Sequence, residues 1–400
     1  MSVFANVKLL PSDPILGLTD AYLEDPRSPK VNLGVGVYYD AQGRMQLLES
    51  VAKAEEALLK SRRARSYIPI DGMAAFDAET QKLLFGAESE FLASGRIVTA
   101  QTLGGTGALR VGADFLKTVL PNAKVAISRP SWPNHQVLFE AAGFELTEYP
   151  YYDQAKNGLD FPAMLDGLKR LEAGSVVLLH ACCHNPTGAD LSLAQWEEVA
   201  VLLREHGLLP FVDIAYQGFD KGIVEDTAGI AALLEAGVPN LLIANSYSKS
   251  FSLYGERVGA LSVLCADAQE AARVRSQVKQ TIRATYSNPP THGAALVAGV
   301  LGSAELRALW ESEVGEMRTR IRSMREGMVS RLADRGLPEF EFILSQAGMF
   351  SYSGLTKAQV LRLRDEFAIY AVDSGRICVA ALNEGNLDYV AAAVAAVVGK

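Results

Sequence analysis

Through the middle of the chain, short apolar runs alternate with stretches whose apolar residues recur every three or four positions. The runs Val125–Ser128, Ser175–His180, Leu209–Ile214, Leu241–Asn245 and Val258–Cys265 are continuous in Val, Ile, Leu and Ala. Strands buried on both faces read this way, whereas half-exposed strands alternate apolar and polar residues. Helical patterns such as Leu193–Glu205 lie between them. Strands separated by helices predict an α/β fold, with a mostly parallel sheet flanked by helices. Ligands on such sheets sit beyond the carboxyl ends of the strands. The residues that follow each run are therefore the candidates for chemistry.

The rhythm changes after about Ala304. A helical pattern runs to Arg335, interrupted only by Gly315 and Gly327, and it carries seven Arg and six acids, well mixed. Balanced signs of this kind read as a solvated helix face. Beyond it, Phe340–Leu344, Met349–Tyr352 and Arg376–Ala380 read as strands, and Lys357–Phe367 and Leu387–Val398 as helices. This predicts a smaller α+β domain hung on the long helix. The segment through about Met45 lacks a core of its own, and is expected to cross to the small domain or to a partner subunit.

Composition narrows the function. The 400 residues are 49% apolar and 21% charged, the balance of a folded globular chain. At ~100–200 residues per domain, two or three domains are expected. Forty-six acids against 38 bases leave a net charge of −8 with no basic block. That argues against nucleic-acid binding, which needs clustered cations to neutralise phosphates. No secretory pattern opens the chain and no apolar run approaches the ~20 residues that span a bilayer. The four cysteines, Cys182, Cys183, Cys265 and Cys378, form no C-x-x-C and suggest reduced thiols. A cytoplasmic protein without membrane contact is expected.

Four polar clusters follow apolar strands. Gly104-Gly105-Thr106-Gly107 leads into the helical pattern Val111–Leu120. Glycines let backbone N–H groups approach an anion, and the helix start favours negative charge. The spacing matches neither the dinucleotide nor the nucleotide-triphosphate fingerprint. The second cluster runs from His180 to Gly188 and includes Cys182, Cys183, His184 and Asn185. Two His and two Cys invite a zinc reading. On an extended strand His180, Cys182 and His184 would lie nearly collinear, with no second ligand pair in reach, so no metal is expected. In the third, Asp213 ends an apolar strand, a costly place for a carboxylate unless a cation needs it, and Tyr216 follows. The fourth is Ser246-Tyr247-Ser248-Lys249-Ser250, with Arg257 opening the next strand. A lysine at a strand end, flanked by hydroxyls, is a candidate Schiff-base nucleophile.

One organic cofactor asks for this whole set. Pyridoxal phosphate needs a lysine for its aldehyde, an acid at its ring nitrogen, donors at its phenolic oxygen and a cup for its phosphate.

The chain resembles the class I (aspartate/aromatic) aminotransferases of pyridoxal-phosphate fold type I. GGTGALR, PSWPNH, HNPTG, DIAYQGF, SYSKSFSLYGERVG, YSNPP and SGR occur in that family's order. The resemblance implies a large cofactor domain over residues 46–315, with residues 1–45 and 316–400 forming an N-terminal arm and a small domain. Lys249 would hold the cofactor covalently and later move a proton. Asp213 would pair with the ring nitrogen, with His135 behind it. Asn185 and Tyr216 would bond the phenolic oxygen, and Trp132 would stack on the ring. Gly105, Thr106, Ser246, Ser248 and Arg257 would hold the phosphate, joined by Tyr67 from the neighbouring subunit of a homodimer. Arg376 would clamp the substrate α-carboxylate, Gly36 would leave it room, and Arg283 would meet a side-chain carboxylate across the dimer interface.

The resemblance also bears on the substrate. Relatives restricted to aspartate tend to carry a lysine where this chain has Tyr39, and a polar residue where it has Met45. CCHNPTGADL, DIAYQGF and SLYGERVG stand nearer the aromatic branch, whereas Asn288 and Thr106 match the aspartate branch. The expected activity is transamination of aromatic and acidic amino acids with 2-oxo acids such as 2-oxoglutarate. The alternative is a strict aspartate aminotransferase.

Overall fold

The continuous apolar runs form one seven-stranded sheet. In chain order its strands are β1 (Ile97–Leu103), β2 (Lys124–Arg129), β3 (Glu145–Pro150), β4 (Val176–His180), β5 (Leu209–Ile214), β6 (Leu241–Ser246) and β7 (Val258–Leu264). They lie in the order β1-β7-β6-β5-β4-β2-β3. β7 alone runs antiparallel to its neighbours β1 and β6, and the other pairings are parallel. The structure, a computed structural model, describes residues 2–9 and 15–399. β6 and β7 are buried along their whole length, which accounts for their unbroken apolar sequence.

The long helical pattern is one helix, Ala304–Ala333, and neither glycine interrupts it. Gly327 is a packing residue: a Cβ there would come within 2.8 Å of Leu387 on the C-terminal helix Leu387–Val398. Trp310, fully buried on the long helix, stacks on Phe251 at 4.6 Å and donates its indole N–H to the Ser250 carbonyl at 2.7 Å. Burying a side chain the size of Phe251 stabilises by about 1.5–3 kcal/mol, and here that energy pins the segment after β6.

Two expected strands differ. Phe340–Leu344 lies inside a 3₁₀ helix, Pro338–Ser345. Phe340 and Ile343, three apart, are its buried residues, so the burial period is three rather than two. The last strand ends at Cys378 and continues as a 3₁₀ turn, Val379–Ala381. The expected helices at 357–367 and 387–398 form as read.

The N-terminal segment crosses the molecule. Val31–Asn32 pairs in parallel with Ile369–Tyr370, and Cys378 N–H donates to the Leu33 carbonyl at 2.8 Å. Tyr370 OH reaches the Asp25 carboxylate at 2.7 Å. No single described helix is long and apolar enough to cross a membrane.

Candidate active site

The carboxyl ends of β4, β5 and β6 open on a cavity of about 300 Å³. Register brings its polar residues together: His180 pairs with Asp213 across β4 and β5, and Ile214 with Asn245 across β5 and β6. Gly36, Gly105, Thr106, Trp132, Asn185, Asp213, Tyr216, Ser246, Ser248, Lys249, Arg257 and Arg376 all line it.

Asp213 is the electrostatic centre of one wall. Nε2 of the fully buried His135 stands 2.9 Å from its Oδ2, and Ser131 Oγ lies 2.9 Å from the other ring nitrogen. A carboxylate can only accept, so Nε2 of His135 carries the proton. Burial pushes the Asp213 carboxyl up, but the His135 hydrogen bond and nearby positive charge outweigh it and hold it below its ordinary value. The imidazole of His180 completes a trio whose ligand atoms lie within 4.8 Å of one another. Its Nδ1 accepts the Asn185 N–H at 3.1 Å, and burial holds its pKa down to about 3, so it is neutral.

β4 ends at His180, and the turn after it brings the His184 ring to 4.2 Å from the His180 ring, with both His184 nitrogens and His180 Nδ1 taken up by other partners. His184 stacks on Tyr151 at 4.0 Å, with its nitrogens 3.0 Å from Ser128 Oγ and 2.8 Å from Thr187 Oγ1. The Asp190 carboxylate accepts the N–H groups of Cys183 and His184 at 2.5 and 2.8 Å and shapes the turn that presents Asn185.

Lys249 is half-buried, its Nζ 4.8 Å from the Tyr216 ring centroid. Burial, then the charges of Arg257 and Arg376, push its pKa down to about 8, against the pull of Asp213. Burial raises the Tyr216 hydroxyl, although Arg376 acts the other way.

A second wall is a cup of small donors. Gly104 has φ +70°, and a Cβ there would lie 2.6 Å from the Arg257 guanidinium. A Cβ at Gly105 would meet Ser246 at 3.0 Å. Arg257, itself at φ +54°, donates from Nη1 to Ser248 Oγ at 3.3 Å, and Ser246 and Ser248 lie 3.2 Å apart. A left-handed arginine is strained backbone, of the kind that concentrates at functional sites.

Arg376 closes the opposite side. It is 3% exposed, donates to Asn185 Oδ1 at 3.1 Å and to the Gly34 carbonyl at 2.6 Å, and lies 4.1 Å from the Phe350 ring centroid. Its Nε is buried without a partner.

Two expected residues lie elsewhere in the chain's own fold. Tyr67 is 92% exposed and lines a separate surface groove with Arg62, Arg65 and His292. Arg283 is exposed at the end of the helix Ala268–Thr285, where it donates to Ser287 Oγ. Neither lines the cavity. Sequence reasoning missed Phe350 and Tyr254. Phe350 underlies Gly36 and Arg376, and Tyr254 OH accepts the Tyr38 N–H at 3.0 Å. An apolar strand and a loop tyrosine carry no local signal of either contact.

The family model for aminotransferase class I and II matches residues 28–394. The chain belongs to this family. It is a pyridoxal-phosphate-dependent aminotransferase. It is 57% identical to an aspartate aminotransferase of Pseudomonas aeruginosa over 98% of this chain and 99% of the relative. It is 51% identical to an aromatic-amino-acid aminotransferase of Escherichia coli over 99% and 100%. Its fold superposes with a TM-score of 0.96 on an aromatic-amino-acid aminotransferase from Burkholderia pseudomallei, solved covalently bound to pyridoxal phosphate. That structure is 58% identical, and the match covers 99% of this chain and 100% of that one.

The residues present fit the cofactor. The aminotransferase offers a depressed lysine for an aldehyde, an ionised buried carboxylate for a ring nitrogen, and a glycine–serine–arginine cup that a single Cβ at position 104 would fill.

Proposed function

We propose that the aminotransferase moves the α-amino group between aromatic or acidic L-amino acids and 2-oxo acids. One observation carries this reading. Of the two arginines lining the cavity, Arg257 belongs to the donor cup, so Arg376 is left for a substrate α-carboxylate. The remaining wall includes Val35, Val37, Trp132 and Phe350, which suits an aromatic ring. A side-chain carboxylate needs a further cation, and Arg283 of a second copy is the one we assign. Tyr67 of that copy would join Gly105, Thr106, Ser246, Ser248 and Arg257 at the phosphate. The active protein is therefore a homodimer in this proposal, with residues 46–315 as the cofactor domain and 1–45 with 316–400 as the arm and small domain.

When bound, the cofactor supplies an aldehyde for amines and a ring that accepts electrons from the substrate carbon. The chain's residues do the rest. Asp213 holds the proton at the ring nitrogen, and the N–H of His135 keeps that carboxylate ionised. Asn185 and Tyr216 orient the phenolic oxygen, and Trp132 covers the ring. Lys249 would hold the cofactor's aldehyde and could take up and return the proton of the substrate carbon at Nζ; an amine with its pKa pushed down to about 8 suits that role. Arg376 orients the substrate bidentately, and Gly36 leaves it backbone room.

The test compares kcat/KM for aspartate and phenylalanine with 2-oxoglutarate as acceptor. Comparable values support dual specificity, and negligible phenylalanine turnover hands the case to a strict aspartate enzyme. Mixing an inactive Lys249→Ala protein with a Tyr67→Ala, Arg283→Leu protein impaired on aspartate should raise aspartate turnover above that of either alone if sites are shared between copies.

A further inference from the structure

The structure carries a second cavity, of about 240 Å³, which shares no lining residue with the active site. We propose that it binds hydrogen phosphate. Its walls are Phe219–Asp220 beyond β5, one face of the long helix, and Leu344–Gly348.

The helix contributes three arginines, Arg318, Arg322 and Arg325, at spacings of four and three, so all three fall on one face. Like charges at this spacing repel and call for a counter-charge. Among the residues that line the cavity, three guanidinium groups face two carboxylates, Asp220 and Glu326, with Asp190 acting on Arg325 from behind the wall. Arg322 is exposed and makes no ion pair or hydrogen bond among the described residues. Arg325 is 4% exposed, and its Nη2 donates to the carbonyls of Gly348 at 2.6 Å and Phe350 at 3.2 Å. Its Nη1 is buried with no partner. Burial pushes its pKa down to about 10, so it stays charged at neutral pH. A buried, charged donor without an acceptor is costly, and an oxyanion in the cavity, beside the same guanidinium, would offset that cost through its charge.

Asp220 selects among oxyanions. Its carboxylate accepts no hydrogen bond among the described residues, and it lines the same cavity as the arginines. Hydrogen phosphate presents oxygens to guanidinium groups and an O–H to a carboxylate. Sulfate and simple carboxylates have no such O–H at neutral pH. Because Arg325 also holds the Phe350 carbonyl, whose ring lies beneath Arg376, the bound anion would fix one support of the active site.

The experiment titrates the holoenzyme with inorganic phosphate by calorimetry at constant ionic strength, in wild type, Arg322→Ala and Arg376→Leu. Arg322 is exposed and unpartnered, so its variant should keep the fold and the cofactor absorption. One saturable phosphate per chain is expected in wild type and in Arg376→Leu. Arg322→Ala should bind roughly tenfold more weakly, the loss of one charge-assisted contact, and sulfate should bind several-fold more weakly than phosphate to wild type. Absent saturation in wild type, unchanged affinity in Arg322→Ala, or loss in Arg376→Leu would overturn the site. Equal affinity for sulfate would overturn the ligand.

Discussion

His135 donates from Nε2 to the Asp213 carboxylate at 2.9 Å; Asp213 lines the active cavity, and the fully buried His135 stands behind it. The pair exists to keep a negative charge where burial alone would neutralise it. Asp213→Ala should retain cofactor yet lose at least about a hundredfold in kcat, since deleting one partner of a buried charge pair typically costs ~3–5 kcal/mol. His135→Ala should cost less, because the carboxylate itself survives. Steady-state kinetics on both variants check the order; a His135 variant slower than the Asp213 variant would reverse these roles.

Lys249→Ala should lose transamination and any cofactor trapped by borohydride, while the far-ultraviolet spectrum stays that of the wild type. Retention of reducible cofactor would move the covalent link elsewhere.

The same lysine sets a pH dependence. Only the neutral amine attacks an aldehyde, so a pKa pushed down to about 8 enlarges the reactive fraction. At pH 7.5 that fraction is about a quarter, against about 0.1% for an unshifted lysine. Recombination of cofactor-free protein with pyridoxal phosphate should therefore quicken from pH 7 to 9, with a midpoint near 8. A rate still climbing tenfold per pH unit above 9 would show an unshifted amine.

Arg376→Leu should depress kcat/KM for aspartate and phenylalanine alike, as every α-amino acid presents its α-carboxylate. Arg283→Leu should spare phenylalanine and cost aspartate about tenfold or more, the value of a lost charge-assisted contact. Equal losses for both substrates in Arg283→Leu would show that this arginine does not discriminate by charge.

Gly36→Ala places a Cβ 2.5 Å from Phe350 Cζ. Overpacking of this kind typically costs ~1–3 kcal/mol, enough to lower kcat/KM roughly tenfold if Phe350 shifts beneath Arg376. Adding Phe350→Leu, which removes the colliding atom, should recover part of the loss. If the second change only deepens the defect, the contact is not the cause.

Much of this site was legible because its residues end buried strands, and burial on both faces writes itself as continuous apolar sequence. Asp213, Ser246 and Lys249 are placed by that pattern. The neighbourhood of Arg376 could not: its bond to Gly34 spans 342 positions, and no local pattern encodes such a closure. The packing of His180 against His184 was not legible, since it arises in the turn beyond the strand end, which Asp190 holds from six and seven residues away. Phe340–Leu344 carries four apolar residues around Glu341, a pattern that satisfies a strand and a 3₁₀ turn equally, and only the buried pair at spacing three decides.

The parallel ribbon between Val31–Asn32 and Ile369–Tyr370 stitches two segments that lie more than three hundred positions apart. Gly36 and Arg376, which both line the active cavity, lie just beyond that ribbon, where Arg376 donates to the Gly34 carbonyl at 2.6 Å. The guanidinium and the glycine backbone beside it thus share one seam, and unstitching the ribbon would put both out of line at once.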